Sequence, residues 1–184
     1  MASFFMMTVY YHIDKIMLGN FHDKSYVGMY DVAYKIFGIF TILNTLLWNV
    51  FSSRISRKTN IKEYKLVMIS SGVFLSSLLY LSGDLILESF FESTYLEISI
   101  ILKIFAFNIF IIFLNSTYVS PLMLWGKEKL FFYLTMLGAI LNILLNILLI
   151  PSFTMQGAAI ATVSSEVIIL FTFYFINLYG KNDL

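Results

Sequence analysis

The stretch LNILLNILLIPSFTMQGAAIATVSSE, Leu141–Glu166, decides the fold. Its first ten residues are apolar except Asn142 and Asn146, which stand four apart and share one helix face with Gly138. Pro151–Met155 is a short uncharged connection. Beyond it Gly157, Ala161 and Ser165 recur every four residues, and Ala158, Thr162 and Glu166 follow on the adjacent face. Small residues at this spacing let membrane helices approach closely, and amide or hydroxyl side chains hydrogen-bond between them. The stretch therefore reads as the end of one membrane helix and the start of the next. Gly138, Asn142, Asn146, Gly157 and Ala161 are read as helix-packing positions.

The rest of the 184-residue chain has the same character. It is 59% hydrophobic, 18% aromatic and only 12% charged, about half the charge of a soluble domain. Mean hydropathy is +0.84. Six apolar segments can be drawn, near 2–18, 27–51, 64–86, 97–119, 130–150 and 156–179. Runs of this length span a bilayer as helices, and the alternating ten-residue pattern of an outer-membrane barrel is absent. The expected fold is an all-α membrane protein, one six-transmembrane-helix bundle over 1–184. A net charge of +1 gives no basic face for nucleic acid. The chain has no cysteine, so thiol chemistry is excluded.

Loop charge sets the expected orientation. Arg54, Arg57, Lys58, Lys62 and Lys65 follow the second segment, Lys127 and Lys129 precede the fifth, and Lys181 lies in the tail. The alternate loops hold only Lys24 as a base. The positive-inside rule then places both termini in the cytoplasm. Trp48 and Trp125 lie near span ends, as interfacial aromatic residues do.

Charges inside the spans are the candidate functional residues, because each costs roughly 2.5–3.5 kcal/mol near the bilayer centre unless paired or hydrated. Asp14 and Lys15 are adjacent, so about 100° apart on a helix, and each needs its own polar environment. They either snorkel outward or line a cavity. Asp31 and Lys35 have the spacing and order of a helical ion pair. Lys103 lies about two turns into the fourth segment and either snorkels or lines a cavity, where it would attract phosphate as a point charge. Asn108 and Asn115 share a face that Lys103 does not. Glu166 reads as the most deeply placed acid, paired with a lysine or able to carry a proton. No enzyme motif stands out: there are two histidines, no HExxH, no GxSxG and no phosphate-binding loop. No cofactor or metal is expected.

DKIMLGNF (Asp14–Phe21), VGMYDVAYKI (Val27–Ile36), LWGKEK (Leu124–Lys129) and the opening stretch together resemble the second half of polysaccharide flippases, strongest in the O-antigen branch. These belong to the multidrug/oligosaccharidyl-lipid/polysaccharide (MOP) exporter superfamily. The resemblance implies two six-helix lobes around a central cavity, of which this chain matches the C-terminal one. It implies a lipid-linked oligosaccharide carried on undecaprenyl pyrophosphate, alternating access, and the bacterial inner membrane. It implies a second six-helix lobe as partner, in the same polypeptide or in trans, and makes a fragment the preferred reading of the length. Asp14, Lys35, Lys103 and Glu166 become its expected cavity residues, with Lys103 and Glu166 facing the space between lobes. The competing readings are a structural membrane subunit without its own path and a drug or cation exporter lobe of the same superfamily. A pocket rich in aromatic and acidic groups would favour the exporter; a lysine-lined cavity favours the flippase.

Overall fold

The computed structural model describes residues 13–90 and 95–179. Most of the first expected span, 2–18, and the tail with Lys181 lie outside the described residues. Within them every regular element is helical: α1 at residues 13–21, α2 Lys24–Ser56, α3 Ile61–Phe90, α4 Tyr95–Tyr118, a 3-10 turn Ser120–Met123, and α5 Glu128–Tyr179. Four of these, α2 to α5, are long and apolar enough to cross a membrane. The chain is a multi-pass membrane protein.

Among the described residues five helices are delimited where six segments were drawn, because the fifth and sixth segments run together as α5, two helical arms joined across a kink. The kink falls inside the expected connection Pro151–Met155. Proline tolerates helical φ, so the helix runs through Pro151. It breaks at Thr154, whose φ of 50° and ψ of −129° are not helical. A β-branched residue at positive φ is a strained hinge. The two arms of α5 fold back on each other. Asn142 meets Thr162, and Gly138 and Gly157 press on Ile169 and Leu149 respectively, three contacts nested about one reversal. A Cβ on Gly157 would lie 2.5 Å from the Leu149 carbonyl oxygen, so only glycine permits this closeness.

α4 is the central helix. Of its most apolar window 56% is buried, against 17% for α2 and 22% for α3, which show their other faces outward. Phe105 of α4 packs under Tyr30, Tyr34 and Phe37 of α2, with the Phe37 ring 4.7 Å away. Gly72 lets α3 close on Phe113, where a Cβ would meet the Phe113 Cβ at 2.6 Å. Leu66, Phe74, Leu81 and Leu85 of α3 are exposed, as a lipid-facing surface requires.

The connections gather at two ends. At the basic end Trp125 donates from Nε1 to the Ile55 carbonyl at 2.8 Å and lies beneath Lys58, while Lys65 stacks on Tyr118. At the other end His22, in the α1–α2 turn, donates from Nε2 to the Ile150 carbonyl at 2.8 Å, beside the α5 hinge.

Candidate functional site

The most buried carboxylate among the described residues is Asp14, not Glu166. Asp14 is 2% exposed and is held by side chains from α2 and from both arms of α5. Tyr30 of α2 donates to Oδ2 at 2.9 Å, Thr162 of the second α5 arm donates to Oδ2 at 2.7 Å, and Asn146 of the first arm donates to Oδ1 at 2.6 Å. Asn146 also donates to Asn142 Oδ1 at 3.2 Å, and Asn142 lies 3.4 Å from Thr162 Oγ1. Asn142 and Asn146, read as packing residues, thus also build a hydrogen-bonded centre. Asn146 Oδ1 has no partner among the described residues. One carboxylate, two amides and two hydroxyls converge here. Such hard oxygen donors suit a proton or a small monovalent cation, and no cluster of three or more His, Cys, Asp or Glu exists among the described residues to suit a transition metal.

Lys15 does not share this site. It bonds Asp31 and lies 4.7 Å from the Tyr34 ring centroid, so it is turned onto α2 rather than simply snorkelling. Asp31 also pairs with Lys35 at 2.8 Å, the spacing read from the sequence. The result is one carboxylate between two lysines. The Lys35 side chain is 76% exposed, on the same α2 face as Ile39 and Ile42.

Lys103 and Glu166 are not brought together. Lys103 pairs with Asp84 of α3 at 3.1 Å, and Ser99 donates to the same carboxylate. Twelve residues further along α4, about 18 Å at the helical rise, Asn115 donates to Glu166 Oε2 at 2.6 Å. Glu166 lines a partly open cavity of about 270 Å³ bordered by α2, α4, the 3-10 turn and α5 within this one bundle, and no lysine or arginine among the described residues lines it. Lys103 and Glu166 thus lie at different levels of the bundle, each with its own partner. Lys103 is tied to a neighbouring acid because a charge at hydrocarbon depth takes the partner within reach.

Three residues that matter here were not singled out from the sequence. Asp84 carried the same signal as Lys103, a lone charge inside an apolar run. Tyr30 and Thr162 gave no such signal, since their importance comes only from facing Asp14.

No family model matches the sequence. Over 166 residues the chain is 25% identical to the probable low-salt glycan biosynthesis flippase Agl15 of Haloferax volcanii, covering 85% of this chain and 35% of that protein. In fold it is similar to a MATE transporter solved in a bent conformation, with a TM-score of 0.78 and 21% identity over 97% of this chain and 43% of the other. It is similar also to a multidrug resistance MATE family transporter in an outward-facing conformation (0.76, 20%, 98% and 43%) and to a MOP superfamily transporter from Pyrococcus furiosus (0.75, 21%, 98% and 43%). At these identities the structural likeness is one of fold: the bundle is MATE-like. The chain spans about a third of the length of the curated relative and under half that of the solved transporters.

Proposed function

We propose that this chain is the C-terminal lobe of a flippase that moves a lipid-linked oligosaccharide, carried on undecaprenyl pyrophosphate, across the bacterial inner membrane. The observation that carries this reading is the similarity over 166 residues to a glycan biosynthesis flippase. The MATE-like fold supports it, because alternating access is rocking of two bundles about a site between them. In this reading both termini are cytoplasmic and a second six-helix lobe supplies the other wall.

Within the lobe, Lys35 takes the part first expected of Lys103. Its head group is exposed on α2 and anchored by Asp31, which Lys15 also holds. A positioned ammonium attracts pyrophosphate as a point charge. Asp14 holds the proton or small cation that couples to the movement, because it is the most buried carboxylate among the described residues and is reached by both arms of α5.

A strain lacking its cognate flippase tests the reading. This chain alone leaves export unrestored, and co-expression with a cognate N-terminal lobe restores it. In the restored pair Lys35→Ala lowers export and Lys35→Arg keeps it. Full rescue by this chain alone, shown to be monomeric, refutes the proposal.

A second reading, export of organic cations, draws on the cavity beside Glu166, whose walls include Trp48 and Phe131. Dye efflux by the same two-lobe pair, with no gain in oligosaccharide export, selects it.

A further inference from the structure

The cavity at Glu166 has a chemistry of its own, whichever molecule the lobe helps to move. Asn44 and Asn115 are 8% and 9% exposed and both line it. Asn44 Oδ1 accepts from Ser116 Oγ at 2.9 Å, which leaves Nδ2 without a partner among the described residues. Asn115 Nδ2 donates to Glu166 Oε2 and, at 3.1 Å, to the Glu166 carbonyl, which leaves Oδ1 without one. A buried polar atom left unsatisfied is costly. Here a spare donor and a spare acceptor belong to two residues that line the same space as a carboxylate. The remaining wall is apolar and aromatic, from Trp48, Ile112, Phe131 and Ile169.

We infer that this cavity binds a small primary amine bearing an oxygen on the neighbouring carbon, as in ethanolamine compounds and ethanolamine phospholipid headgroups. The ammonium N–H groups donate to Glu166 and to Asn115 Oδ1. The oxygen accepts from Asn44 Nδ2. Trp48 and Phe131 cover the carbon body and face the cation. An anion is excluded by Glu166, and a bare metal ion leaves the apolar wall uncovered. A quaternary ammonium has no N–H and leaves Asn115 Oδ1 unpaired. The volume of about 270 Å³ lies just below the usual range of roughly 300–1,000 Å³ for ligand pockets. It suits a headgroup or a single-ring molecule.

The test is calorimetric titration of the purified chain in detergent micelles. One arm uses free phenylethanolamine, with neutral phenylethanediol and the N-trimethylated amine as controls. The other arm uses dioctanoyl phosphatidylethanolamine against dioctanoyl phosphatidylcholine. Saturable binding in either arm supports the inference, and the arm that binds names the source. The trimethylated amine and the Glu166→Gln protein are expected to bind about tenfold more weakly, the loss of one charge-assisted hydrogen bond. Thr135→Phe, which fills the cavity from its wall, abolishes binding even where Glu166→Gln does not fold. The inference is overturned if no amine probe binds saturably, if the diol or the trimethylated amine binds as tightly, or if Thr135→Phe leaves binding unchanged.

Discussion

Gly157 and Gly138 both sit where the two arms of α5 meet, yet replacing each by alanine has different consequences. A Cβ at Gly157 would lie 2.5 Å from the Leu149 carbonyl oxygen, 2.6 Å from its carbon and 3.0 Å from the Ile150 nitrogen. All three are backbone atoms beside the hinge, so relief requires the arms to move apart. A Cβ at Gly138 meets only the Ile169 side chain, at 2.9 Å from Cγ1 and closer to Cδ1, and a flexible side chain can turn away. Overpacking costs about 1–3 kcal/mol, while alanine recovers about 0.5–1 kcal/mol of helix propensity over glycine. Gly157→Ala is therefore expected to destabilise by about 2 kcal/mol and Gly138→Ala by less than about 1 kcal/mol. Ile169→Val, which removes Cδ1, restores Gly138→Ala. Leu149→Ala does not restore Gly157→Ala, because the obstructing atoms remain. Reversible unfolding in mixed micelles, followed by helical circular dichroism, measures all five proteins. Equal losses at the two glycines, or rescue of Gly157→Ala by Leu149→Ala, would refute the backbone-contact argument.

Asp14→Leu takes the acceptor from Tyr30 and one acceptor each from Asn146 and Thr162, which keep Asn142 and the Ala158 carbonyl, and the same unfolding assay should show a loss of about 2–4 kcal/mol, with Asp14→Asn losing less. Lys103→Met leaves Asp84 at depth without its lysine. The double variant Asp84→Leu with Lys103→Met should be more stable than Lys103→Met alone; a less stable double variant would show that the pair is not the reason Lys103 is tolerated. Cysteines placed singly at Ser56 and Ser89, at opposite ends of the α3 crossing, should be labelled from opposite sides of the membrane by an impermeant reagent. Labelling of Ser56 from the cytoplasm fixes the orientation proposed from the basic loops, and labelling of both from one side removes it.

The helical, membrane-spanning character was legible because apolar runs report burial in lipid without any tertiary information. The Asp31–Lys35 pair was legible for a related reason, being local in sequence. The packing faces of Gly138 and Gly157 showed in their periodicity, and the reversal at Thr154 falls within the connection that Pro151 marked, although the residue that turns carries no turn signal of its own. Side-chain partners at long range were the illegible part. The pairing of Lys103 with Asp84 could not be read, because nothing local ties α3 to α4 at that level. Asp14 reads as a residue able to reach the interface, a turn from Gly19. Its burial follows from Asn146 and Thr162, which are 132 and 148 residues away.

That separation has a consequence for how the protein is made. Tyr30 emerges soon after Asp14, but Thr162 is translated 148 residues later. At about 5–20 residues per second the wait is roughly 7–30 s. Until Asn146 follows, 132 residues after Asp14, α1 carries a carboxylate with Tyr30 as its donor. A molecule made only that far holds α1 less securely than a finished one. The second arm of α5 then closes the polar centre and locks α1 in place. A protein stalled before Thr162 should offer α1 to membrane quality-control proteases, and one released after it should not.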